Sequence, residues 1–282
     1  MRAPVSRVPV LDRWFQIGLA PSHGRASALF GELSSTVRDW RDRRLVEDFF
    51  FMNKPPGVRA RFASGPGQTP FVRAAVRRLV RNWCAGGLVA DIVPGVYRPE
   101  DDRFGGPVAM DHAHRMFTVD AMAWLEFHAR ARRTPAWALS LAMLRPVLDA
   151  MGVDPGREHA VWARVTAAGR LLPKDVTAPD AVTAGLRRWW RTPGALPEEE
   201  VRQIAAVHAA RVAPLAAEWA AALQDAEADF DEAVAWYVVF HWNRAALSFG
   251  RQALLTESLS SGSLPAGSLS TVSLSTGGGD VR

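Results

Sequence analysis

The strongest constraint in this sequence lies between residues 46 and 62. There Val46 to Met52, carrying Phe49-Phe50-Phe51, is separated from Val58-Arg59-Ala60-Arg61-Phe62 by Asn53-Lys54-Pro55-Pro56-Gly57. Proline cannot continue a ladder and glycine frees a turn, so the segment predicts two strands joined at the Pro-Pro-Gly. In the second strand Val58, Ala60 and Phe62 alternate with Arg59 and Arg61, and a period of two places both arginines on one face. On a half-exposed sheet that face would simply be solvated. The first strand, however, is apolar at every position from Phe49 to Met52, the pattern of a sheet covered on both faces. Arginines in such a place need carboxylate partners, from the protein or from a ligand.

The rest of the chain supplies the cover. Trp14 to Leu19 and Leu88 to Val96 read as further strands, and Ala26 to Arg44 and Pro70 to Cys84 as helices. From Met110 the pattern is helical to Arg132, then again over Pro135 to Met151, Pro155 to Ala168, Asp180 to Arg191, Pro197 to Ala222 and Phe230 to Leu255. The expected architecture is α+β: a small, mostly antiparallel sheet in the N-terminal third, packed with a predominantly helical remainder in one globular unit. Its expected limits are residues 10 to 257, after an N-terminal arm of residues 1 to 9. From 258 to 282 the chain is rich in Ser, Gly and Leu and is expected to be disordered, because it buries too little to offset its ordering entropy.

Composition narrows the function classes. The chain has 282 residues with Lys+Arg 34 against Asp+Glu 29, a formal net charge of +5, and one cysteine. A lone Cys84 excludes a disulfide framework and a cysteine-built zinc site within the chain. No apolar stretch approaches a bilayer span and residues 1 to 10 lack the apolar core of a signal peptide, so the expected location is cytoplasmic, with no membrane contact. The basic excess is almost entirely arginine and mostly lies beside acids, so direct nucleic-acid readout is not expected. Its densest run, Arg73, Arg77 and Arg81, repeats every four residues and reads as a solvated or partner-facing helix surface.

Three places combine ionisable groups with structure that aims them. The first is the Arg59/Arg61 fork. The second is the loop Tyr97 to Gly106, where Glu100 and Arg103 stand beside a Gly-Gly pair; a carboxylate and a guanidinium match the two ends of an amino acid, but also form a local ion pair in an ordinary turn. The third is His241-Trp242-Asn243-Arg244 on an apolar helix, where His241, Arg244 and Ser248 share a face. A core histidine is the commoner outcome there, although Arg244 on the same face implies a polar pocket. His112, His114, Glu126 and His128 do not have metal-ligand spacing, so neither a metal nor another cofactor is expected. There is no Gly-x-Ser-x-Gly elbow and no phosphate-cradling glycine loop.

In this order the motifs resemble the C-terminal, thiopeptide-type domain of lantibiotic dehydratases, which also occurs as a separate protein. The resemblance rests on the Trp14 to Leu19 strand, Phe51-Met52-Asn53-Lys54-Pro55-Pro56-Gly57-Val58-Arg59-Ala60-Arg61-Phe62, Tyr97-Arg98-Pro99-Glu100-Asp101-Asp102-Arg103-Phe104-Gly105-Gly106, the Met110 to Asp120 helix start and His241-Trp242-Asn243-Arg244. It implies β-elimination of glutamate from glutamylated Ser or Thr of a precursor peptide, leaving dehydroalanine or dehydrobutyrine. The family's elimination site maps onto Arg59, Arg61, Glu100, Arg103 and His241, with Asn243 and Arg244 beside them as substrate-binding candidates. The implied partners are the precursor peptide and a separate glutamylating subunit that uses glutamyl-tRNA, since this chain is too short to hold that part. The same fold also serves stand-alone pyridine synthases, which join two dehydroalanines in a formal [4+2] cycloaddition and expel the leader peptide; a non-catalytic partner of the glutamylating subunit is the third reading. A cycloaddition needs no glutamate-binding cluster, and a scaffold has no need to concentrate charge inside.

Overall fold

The computed structural model describes residues 13–173, 176–192 and 196–260. Strand β1 (Trp14–Pro21) leads through helix α1 (Ala26–Asp42) to the hairpin of β2 (Val46–Lys54) and β3 (Gly57–Ser64), then through α2 (Thr69–Ala85) to β4 (Val89–Gly95). All pairings are antiparallel, in the order β2-β3-β1-β4, which makes this third of the chain a split β-α-β unit. Pro94 sits in β4, at an edge of the sheet, where a missing N–H is tolerated.

The pleat divides the hairpin as its alternation requires. Ala60 lies opposite Ile17 and Phe51, and Arg61 opposite Gln16 and Phe50. The Phe51/Phe62 face packs on α1, with Phe30 against Phe51 at 5.6 Å and Trp40 against Phe62 at 5.8 Å between ring centroids. The Arg61 face is covered from the other side, where Phe50 meets Phe117 at 5.2 Å and Trp14 meets His114 at 4.6 Å.

That second cover is a helical assembly: α3 (Gly106–His128), α4 (Ala136–Ala150), α5 (Pro155–Ala167), α6 (Asp180–Arg191), α7 (Glu199–Asp225), α8 (Phe230–Arg244) and α9 (Phe249–Ser260). Helix α3 is apolar around most of its circumference because it lies between the sheet and α7. It starts at Gly106 and ends at His128, four residues earlier at each end than the periodicity predicts. The segment Phe230 to Leu255, expected to be one helix, is two. Ala246 takes a left-handed φ of 56° and the Leu247 N–H returns to the Trp242 carbonyl at 3.1 Å, a C-terminal stop built without glycine or proline. Helix α9 then runs to Ser260 with Ser258 and Leu259 buried, so the folded part passes the expected limit at 257. The expected arm at 1 to 9 and the tail from 261 onward lie outside the described residues.

Entry into α3 requires a glycine. Gly105 has φ 84°, and a Cβ there would stand 2.4 Å from Leu223 Cδ2 and 3.2 Å from the Ala109 Cβ. Gly105→Ala is expected to lower unfolding free energy by more than about 1 kcal/mol, measured by urea denaturation, whereas Gly24→Ala, with the same sign of φ but open space around it, shows only the backbone penalty.

Candidate functional site

Arg61 is the best-defined member of the site. The residue is 6% exposed, and its guanidinium lies against two rings, 4.8 Å from the Phe50 centroid and 4.5 Å from that of Tyr97. Nε donates to Gln16 Oε1 at 2.8 Å, while Nη1 is buried with no partner among the described residues. Gln16 reaches it across Gly95, its register partner on β4, where a Cβ would fall 2.4 Å from Gln16 Nε2. Burial draws the Arg61 pKa below its ordinary value, and Tyr97 and Glu100 oppose that shift. Arg61 is therefore held by two rings and one amide, with a donor left over for an anion.

Around it stand groups from the adjacent turns. Arg59 is half-exposed on the same face and donates from Nη2 to the Pro55 carbonyl at 3.3 Å. Glu100 follows β4, with Tyr97 donating its hydroxyl toward Oε2 at 3.5 Å. Lys54, at the end of β2, has its pKa lowered, first by burial and then by the charges of Arg61 and Arg59, with Glu100 opposing. Arg103 turns away from this group. It is exposed, lies 4.1 Å over the Trp236 ring of α8, and shares a surface hollow with Asp102, Asp229 and Glu232.

His241 and Arg244 belong to a second, fully buried cluster around Asp120 of α3. The Asp120 carboxylate meets His241 Nδ1 at 2.7 Å and Arg244 Nε at 2.5 Å, and His208 Nε2 stands 3.2 Å away. Ser140 of α4 occupies His241 Nε2 at 2.9 Å. Burial alone would raise the Asp120 pKa, but His241 and Arg244 outweigh it and hold the carboxyl well below its ordinary range. Burial keeps His241 below its own ordinary pKa, so Arg244 carries the compensating charge. The Arg244 guanidinium lies 4.6 Å over Phe117, and both of its Nη atoms are buried without hydrogen-bond partners among the described residues. Its charge acts on Arg61. Phe117 and Phe50 thus form a ring pair with one buried guanidinium over each ring.

Asn243 joins the two clusters. Asn53 of β2 donates to the carbonyls of both Asn243 and Arg244, at 3.2 and 2.9 Å, and His128 Nε2 lies 2.9 Å from the same Arg244 carbonyl. These contacts satisfy the terminal carbonyls of α8 and tie that end to the Pro-Pro-Gly hairpin. The histidines considered for metal binding are dispersed: His114 bonds the Tyr97 hydroxyl, His128 the α8 carbonyl and His112 faces Arg115. Among the described residues no group of three His, Cys, Asp or Glu is placed to hold a metal ion.

The structure thus brings Arg59, Arg61 and Glu100 together, places Arg244 behind them, and sets Arg103 and His241 apart. The family model for the C-terminal part of lantibiotic biosynthesis dehydratases matches residues 14–261, nearly the whole described fold. The chain belongs to this family. Its fold is similar to that of the tRNA-dependent lantibiotic dehydratase MibB from Microbispora sp. 107891, with 21% identity and a TM-score of 0.63 over 94% of this chain. The chain spans 29% of the length of MibB. TsrL is a more distant likeness, with 14% identity and a TM-score of 0.46 over 88% of this chain and 93% of that one. No curated protein matches the sequence. Membership places the chain in lantibiotic-type peptide biosynthesis, and among the described residues no helix is long and apolar enough to cross a membrane.

Several residues around this candidate site were not singled out by sequence. Gln16, Lys54, Tyr97 and Asp120 lie within the motif segments but were given no role there; the strand register and the helix packing bring them to Arg61 and Arg244. A signal for Asp120 was present, as a lone acid in the apolar run Phe117 to Leu125.

The buried histidines make stability depend on pH. His114 is held at a pKa of about 3 by burial and by Arg13 and Arg61, and burial also lowers His128 and His241. Each is neutral when folded and takes a proton when unfolded below about pH 6.5, so stability present above that pH is lost as pH falls. His114 alone is expected to account for roughly 2 kcal/mol of loss between pH 7 and 5. Urea titrations at the two pH values check this, and His114→Gln should flatten the dependence.

Proposed function

We propose that this chain removes glutamate from glutamylated serine or threonine of a ribosomally made precursor peptide, leaving the dehydroamino acid. The observation that carries this reading is the Arg61 guanidinium, buried against Phe50 and Tyr97 with Nη1 unpartnered beside Arg59 and Glu100. A buried cation with a spare donor is a site for an anion, and a glutamyl ester offers a free carboxylate, an ammonium and a leaving carboxylate. Arg61 and Arg59 orient the glutamyl group and stabilise its departure, and Glu100 accepts the ammonium.

In the reaction a base takes the peptide α-proton, its electrons form the α,β double bond, and the bond from Cβ to the ester oxygen breaks to release glutamate. Lys54 is the amine for the proton step: its lowered pKa makes a neutral base more accessible beside the anion site. His241, closed off with both ring nitrogens engaged, serves as a positioning residue that holds Asp120 and through it Arg244. Arg103, out over Trp236, is placed for the flanking peptide. The glutamylated peptide requires a glutamyl-tRNA-dependent partner. The buried cation also favours elimination over cycloaddition, whose two dehydroalanines bring no carboxylate to pair with it.

The test mixes the chain with a synthetic peptide bearing a glutamyl ester on serine and follows its mass. The expected result is loss of the glutamate to give dehydroalanine. Arg61→Met is expected to slow this about 100-fold or more, as removal of a donor to developing negative charge does. Lys54→Met should lower kcat while leaving peptide binding nearly unchanged. A macrocycle with leader loss from a dehydrated peptide, and no reaction of the ester, would instead identify a pyridine synthase.

A further inference from the structure

Arg170 follows α5, the helix against which α9 packs. It is half-buried, and two hydrogen bonds pin its guanidinium: Nε donates to Gln252 Oε1 of α9 at 3.1 Å and Nη1 to the Ala168 carbonyl at 2.7 Å. The other terminal nitrogen, Nη2, has no hydrogen-bond partner among the described residues and keeps access to solvent. Burial draws the Arg170 pKa below its ordinary value, and no carboxylate among the described residues opposes that shift. A guanidinium in such a place is completed by an anion from outside the chain.

The hydrogen bonds that hold Arg170 also lead to the elimination site. Gln252 Nε2 donates to the Leu247 carbonyl at 2.9 Å and to Asn243 Oδ1 at 3.4 Å, and the Asn243 carbonyl accepts from Asn53 at 3.2 Å. Asn53 immediately precedes Lys54, and the positive charge of Arg170 acts on Lys54. Glu100 acts on Lys54 and Arg61 but leaves Arg170 uncompensated. Two large apolar side chains adjoin Arg170 in the chain and on α9: Leu171, 48% exposed, and Phe249, one helical turn before Gln252 and 57% exposed. Because two hydrogen bonds already order the guanidinium, binding a carboxylate there costs little side-chain entropy.

We propose that Arg170 is a specificity residue that binds an acidic side chain of the precursor peptide close to the modified serine or threonine, with a neighbouring apolar residue against Leu171 and Phe249. The proposal takes its substrate from the elimination reading and rests on it in that respect. Arg61, Arg59 and Glu100 take the glutamyl group, so the carboxylate at Arg170 belongs to the peptide itself. An aspartate or glutamate held there fixes the peptide backbone on the Lys54 side of the site, where the α-proton is removed.

The test uses glutamyl-serine ester peptides with a single aspartate placed in turn at each of the two positions on either side of the serine, and the matching asparagine peptides. Elimination is followed by mass, and binding of the unreactive glutamyl-amide counterparts by fluorescence anisotropy. At one of these positions aspartate is expected to raise both kcat/KM and affinity about fivefold or more over asparagine. Arg170→Gln should erase that difference, and Arg170→Glu should turn it into a preference for lysine at the same position, an exchange that a purely structural arginine does not produce. Arg73→Glu, on the exposed face of α2, leaves the aspartate preference intact and separates it from the overall charge. If Arg170→Glu does not fold, Arg170→Gln decides. An aspartate preference in binding without loss of glutamate from any ester overturns the elimination reading and supports the Arg170 site. Elimination with no preference at any position, or a preference that survives in Arg170→Gln, overturns the proposal and leaves the elimination reading standing.

Discussion

The ionised carboxylate of Asp120, fully buried, is the constraint on which the helical part of the molecule depends. It draws α3, α7 and α8 together through His208, His241 and Arg244, and α4 joins through Ser140 on His241. A carboxylate without water is tolerable only when a permanent charge and directed donors replace its hydration, and Arg244 supplies the charge. Removing either partner of such a pair costs about 3–5 kcal/mol, because the remaining charge is stranded. The geometry is correspondingly specific: each helix must present one polar group at one depth.

From this anchor follows the placement of the candidate site. Arg244, fixed by Asp120, lies over the Phe117 ring, and Arg61 lies over the neighbouring Phe50 ring. The sheet fixes Arg61 through Gln16 and the register, and Asn53 ties the hairpin to the end of α8. Two buried guanidiniums with unused N–H groups make an electrostatic environment that favours an anion. The fold thus keeps positive charge in a low-dielectric place, which is where the proposed elimination would need it to act on a departing carboxylate.

The sheet and its arginine face were legible in the sequence because period-two alternation and the Pro-Pro-Gly turn are local signals. Helix existence was legible for the same reason, and α8 with α9 was misread as one helix because Ala246 ends α8 through a left-handed backbone that no glycine announced. The hairpin and the loop after β4 bring the motif residues Arg59, Arg61 and Glu100 near one another. What the sequence concealed is what depends on depth. His241 and Arg244 share a helix face with nothing to show that the face points at a buried carboxylate 121 residues away, and Lys54 reads as a turn residue until its neighbours are in place.

The most direct measurement is the crystal structure of this chain with a precursor-like peptide in which the glutamyl ester oxygen is replaced by NH, so that the glutamyl group cannot leave. The account predicts a glutamyl carboxylate oxygen within hydrogen-bond distance of Arg61 Nη1, Glu100 at the glutamyl ammonium, and Lys54 facing the α-carbon. A glutamyl group bound elsewhere, with Arg61 Nη1 still unpartnered, would contradict it.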